Sequence, residues 1–82
     1  MEIIIGRDPN TNHLAFLVDG KRGVDSSVTF PQSISRLRPN ENMGHCRILI
    51  KNDDIRIINL NSENVTYVDG EEIKHSVKID LH

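Results

Sequence analysis

Apolar residues recur at every second position through most of this chain, and that period constrains its fold more than any other feature. Cys46, Ile48 and Ile50 alternate with His45, Arg47, Leu49 and Lys51; Val77, Ile79 and Leu81 alternate with Lys78, Asp80 and His82. A period of two places alternate side chains on opposite faces of a β-strand, whereas a helix needs apolar residues at steps of three and four. No window carries an amphipathic helix of useful length. Ile3-Ile4-Ile5 is a continuous β-branched run, the pattern of a buried strand. Turn signals separate the runs. Asp19-Gly20 follows Leu14–Val18, Asp69-Gly70 follows Val65-Thr66-Tyr67-Val68, and Asn52-Asp53-Asp54 joins the 45–51 run to Ile55–Leu60. Each predicts a hairpin. Val28-Thr29-Phe30, just before Pro31, predicts a further short strand. Short antiparallel strands at this spacing indicate an all-β sandwich or barrel.

The 82 residues suffice for one small domain with a thin core. Ten basic residues against twelve acidic leave a formal charge of −2, which gives no reason to expect nucleic acid or an anionic membrane as partner. One Tyr and two Phe are too few to act as stacking platforms for bases. No apolar run approaches the ~20 residues of a membrane span. The single cysteine, Cys46, excludes an internal disulfide and suits a reducing, cytoplasmic compartment.

Three polar stretches break the strand pattern: Asp8 to His13, Pro31 to Gly44, and Asn61 to Asn64. Loops at one end of a sandwich cluster in space, so the three together can build one binding surface.

In this order the pieces resemble a forkhead-associated (FHA) domain. Ile5-Gly6-Arg7 is similar to the strand ending in Gly-Arg of that family. Ser35-Arg36, with His45-Cys46-Arg47-Ile48 further on, looks like its Ser-Arg…His element in split form, with nine residues between Ser35 and His45. Asn59 to Gly70 resembles its Asn-Gly-Thr-x-Val-Asn-Gly-like element. The resemblance covers residues 3 to 73 and marks a divergent member. It implies a β-sandwich of short antiparallel strands whose loops at one end bind phosphothreonine peptides. It also implies that 1–82 is a single FHA-like domain lacking its last strand, hence a fragment of a longer protein. The Ile3–Ile5 strand would then have an open edge, where unpaired N–H and C=O groups could recruit a second copy.

The resemblance assigns roles residue by residue. Arg7, Ser35 and Arg36 would hold the phosphate, since a guanidinium presents planar donors that match phosphate oxygens. Ser33 and Arg38 compete for the hydroxyl and cation roles. Asn64, with both donor and acceptor groups, would hold the backbone of the phosphorylated peptide or protein. His45 would brace the recognition loop. Glu63 stands where the family has threonine, and its carboxylate would repel a phosphate nearby. Glu63 and the split element support an alternative, a structural or assembly module of the same fold that has lost phosphate recognition.

Neither an enzyme nor a cofactor is indicated: no Gly-rich phosphate loop follows a strand, and nothing suggests a nucleophile elbow. His45 and Cys46 with His13, His75 or His82 do not form a metal pattern. Cys-x-x-Cys and His-x-x-x-His spacings are lacking, and alternation sends His45 and Cys46 to opposite faces.

Overall fold

The computed structural model describes residues 1–23, 25–60, 66–68 and 70–79. Among the described residues eight strands are formed: β1 (Glu2–Arg7), β2 (Leu14–Val18), β3 (Lys21–Arg22), β4 (Cys46–Lys51), β5 (Asp54–Asn59), β6 (Thr66–Val68), β7 (Glu71–Ile73) and β8 (Ser76–Ile79). A 3₁₀ turn, Pro39–Glu41, lies between β3 and β4. The strands make a six-stranded sheet in the order β3-β2-β1-β4-β5-β8 and a two-stranded sheet, β6-β7, with all strand pairs antiparallel. The chain is therefore all-β, as its period of two requires.

The three expected hairpins are β2–β3, β4–β5 and β6–β7. Val18 pairs with Lys21 across Asp19-Gly20, Lys51 with Asp54 across Asn52-Asp53, and Val68 with Glu71. Asp19 (φ 50°), Gly20 (φ 83°) and Asn52 (φ 54°) take the left-handed backbone that tight hairpin turns demand, and Asn, Asp and Gly tolerate it best. The Asp19–Gly20 turn is further pinned by the Asp19 carboxylate, which accepts the Glu2 N–H at 2.8 Å.

Register places Ile4 opposite Leu17, and Gly6 opposite Ala15, on one face of the large sheet. That face holds the core: Ile4, Ala15 and Leu17 are buried together with Leu37, which descends from the 31–45 connection, and Leu60 packs against them. The other face carries Ile3, Ile5, Ile48, Ile57 and Val77, all half-buried. Cys46 belongs to this second face and is half-buried beside Ile5 rather than deep in the core. Burial nevertheless pushes its thiol above the ordinary range.

Several expectations are corrected. β1 has no open edge: it pairs with β2 on one side and β4 on the other, because the β4–β5 hairpin folds back against it. Among the described residues the outer strands are β3 and β8. The Val28-Thr29-Phe30 strand reduces to one bridge, Thr29 with His13, since Pro31 and the departing chain leave no partner for a longer ladder. The polar stretch from Pro31 to Gly44 is itself anchored to the sheet. It contains the Arg36 bridge to Arg7, the Arg38 bridge to Met43, and the buried Leu37.

Candidate functional site

The end of β1 organises one rim of the large sheet. Arg7 and Arg36 run side by side as a parallel bridge: the Arg7 N–H donates to the Ser35 carbonyl, and the Leu37 N–H donates to the Arg7 carbonyl, both at 2.9 Å. Gly6 permits this approach. A Cβ built there would lie 2.9 Å from Leu37 N and 3.0 Å from Ser35 O. Hence glycine at the penultimate position of β1 is what lets Ser35 and Arg36 lie against Arg7.

His45 supports the same segment from below. It is buried, its N–H donates to the Ile5 carbonyl at 2.7 Å, and its carbonyl accepts the Leu60 N–H at 3.1 Å. The ring Nδ1 accepts the Ser35 N–H at 3.2 Å. One residue, through its ring and its backbone, thus ties the Ser35 segment to β1 and to the end of β5, although nine residues separate it from Ser35 in sequence.

Arg7 is 5% exposed. Its Nε donates to the Ile34 carbonyl at 3.1 Å and its NH1 to Asn12 Oδ1 at 2.8 Å. Both acceptors are neutral. Arg36 is exposed and Ser35 half-buried. Among the described residues neither Arg7 nor Arg36 has a carboxylate partner, whereas the other four arginines do. Arg22 meets Asp8 and Asp25, Arg38 meets Glu41, Arg47 meets Glu2, and Arg56 meets Asp54. Two arginines adjacent through their backbone, with no carboxylate partner among the described residues and one of them buried, favour the approach of an anion.

The Asp8–His13 loop completes the rim. Asp8 lies well placed against Arg22 at 2.8 Å. That hydrogen bond, with a second from the Asn10 backbone, holds its carboxyl below the ordinary carboxylate range. Among the sequence-derived candidates, Arg7, Ser35, Arg36 and His45 are therefore brought together. Ser33 and Arg38 are exposed, and Arg38 is paired with Glu41 at 3.6 Å. Asn64 and Glu63 lie outside the described residues. Their stretch leaves from Leu60, bonded to His45, and the chain returns at Thr66, whose hydroxyl donates to Asn59 Oδ1 at 3.1 Å. Sequence reasoning missed Asn12, because nothing in the polar run Asp8–His13 distinguishes it from Asn10 or Thr11. Leu37 was also missed, and its signal was visible: an isolated leucine in a polar stretch.

Among the described residues no group of His, Cys, Asp or Glu could hold a metal ion, and no helix is long and apolar enough to cross a membrane. A family model described as FHA domain matches residues 3–82. Comparisons with the curated proteins and with the solved structures gave no match.

Proposed function

Because the chain belongs to the FHA domain family, whose members are non-enzymatic protein-interaction modules that generally bind phosphopeptides, we propose that it recognises a phosphothreonine-containing segment of a partner protein. Arg36 and the Ser35 hydroxyl make the exposed contacts to the phosphate, and Arg7 adds its charge and remaining N–H donors from beneath. Asn64 holds the peptide backbone, and His45 keeps the Ser35 segment in place. The observation that carries this reading is the pair Arg7–Arg36, adjacent through a backbone bridge and without a carboxylate among the described residues.

Arg36→Ala tests it. Charge-assisted hydrogen bonds contribute ~1.5–3 kcal/mol, so phosphopeptide affinity should fall by about ten- to a hundredfold. Arg36 is exposed, so the melting temperature should stay within about 2–4 °C of the parent. Calorimetric titration with a phosphopeptide reads both the loss and its restriction to the phosphorylated form. Unchanged affinity would remove Arg36 from the site.

One observation favours the second reading, a scaffold retained for assembly: Arg7 is almost fully buried and already bonds Ile34 and Asn12, so bracing alone would account for it. Such a module would bind phosphorylated and unphosphorylated partners equally.

A further inference from the structure

We propose that Asn12 is a positioning residue, which orients the Arg7 guanidinium through a neutral oxygen and so leaves its charge for the phosphate, while Arg22 withholds the neighbouring Asp8 carboxylate. The inference rests on the phosphate reading above and adds residues which that reading does not contain.

Asn12 is held rigidly for this task. Its N–H donates to the Asp8 carbonyl at 2.8 Å, its carbonyl accepts the Phe30 N–H at 2.8 Å, and its backbone is left-handed, φ 61°. With both ends fixed, Oδ1 meets Arg7 NH1 at 2.8 Å, and Gln32 Nε2 approaches the same oxygen at 3.5 Å. An amide oxygen orients a guanidinium by its dipole and does not neutralise it. A carboxylate at the same point would do both, as carboxylates do for Arg22, Arg38, Arg47 and Arg56.

Asp8 is the acid nearest to Arg7 in sequence. It does not turn to Arg7, because Arg22 on the short β3 strand holds its Oδ2 at 2.8 Å, and the Asn10 N–H donates to Oδ1 at 2.7 Å. A negative group beside the phosphate position is thereby neutralised, and Arg7 is left to Asn12. The hairpin at Asp19-Gly20 thus has a role at the rim: it delivers Arg22 to Asp8.

Asn12→Asp is isosteric, and aspartate also tolerates a left-handed backbone. It should weaken binding of a phosphothreonine peptide pool by at least about tenfold, since a full charge at this range outweighs one neutral hydrogen bond. The melting temperature should be unchanged or higher, and the unphosphorylated pool unaffected. Arg22→Gln should weaken phosphopeptide binding several-fold, and adding Asp8→Asn should restore it, which a merely structural role for Arg22 would not produce. Should Asn12→Asp lower the melting temperature, the Arg22–Asp8 pair decides, because Arg22 is exposed on a two-residue strand. Phosphopeptide affinity within twofold of the parent in Asn12→Asp and Arg22→Gln, with Arg36→Ala still losing it, would overturn this inference alone. A parent protein blind to phosphorylation would instead overturn the reading beneath it.

Discussion

Gly6→Ala should lower the melting temperature by roughly 10 °C and abolish phosphopeptide binding together. The new methyl group would stand 2.9 Å from Leu37 N, 3.0 Å from Leu37 Cα and 3.0 Å from Ser35 O. All three are backbone atoms, so no side-chain rotation relieves the contact, and the Ser35–Leu37 segment must move away from β1. Two hydrogen bonds of 2.9 Å between Arg7 and that segment are strained by the move, and Leu37, 3% exposed, is drawn from a core of few residues. Overpacking alone costs ~1–3 kcal/mol, and each kcal/mol lowers the melting temperature of a domain this size by about 4–8 °C. Gly20 gives the control. A Cβ there meets nothing, and its φ of 83° is open to asparagine, so Gly20→Asn should shift the melting temperature by only a few degrees. Circular dichroism melts of the two variants check both statements; an unshifted Gly6→Ala would mean that the 35–37 segment does not lie against β1.

Arg7→Ala should cost about 2–4 kcal/mol and remove phosphopeptide binding below detection. Truncation leaves the Ile34 carbonyl and Asn12 Oδ1 without their donors in a part-buried site and opens a void where the guanidinium lay. It also takes away one of the two rim arginines that have no carboxylate partner among the described residues. Arg7→Lys separates the two losses. Lysine keeps the charge but has no planar fork to serve Ile34 and Asn12 at once, so stability should fall by a smaller amount while some phosphate preference survives. Denaturant melts give the first quantity and titration the second. If Arg7→Ala destabilises and leaves phosphopeptide affinity unchanged, Arg7 is a brace only.

The strands and their turns were legible in the sequence because each is a local property. A two-residue turn of Asp-Gly or Asn-Asp needs left-handed backbone, and the alternation on either side sets which residues face the core. The order of the sheet was not legible in this way. The pairing of β1 with β4 joins Ile5 to Cys46 across 41 residues, and no local pattern announces such a contact. From the sequence, β1 therefore looked like an edge, when in fact it lies between two partners. The site shows the same division. Arg7, Ser35 and His45 could be singled out because their residue types and order resemble a family pattern. Asn12 could not, since its task depends on an oxygen position set by the turn from Asp8 to His13. Leu37 differs: an isolated leucine in a polar stretch was a visible signal, and the fold shows that burying it anchors that stretch.

The proposed role of Arg7 and Arg36, adjacent through a backbone bridge and without a carboxylate partner among the described residues, is to receive a phosphate. Its most direct test is titration of the unmodified protein with a degenerate phosphothreonine peptide pool and with the same pool unphosphorylated. Saturable binding of the phosphorylated pool, with little or none of the other, is the expected result; equal affinity for the two pools would contradict it.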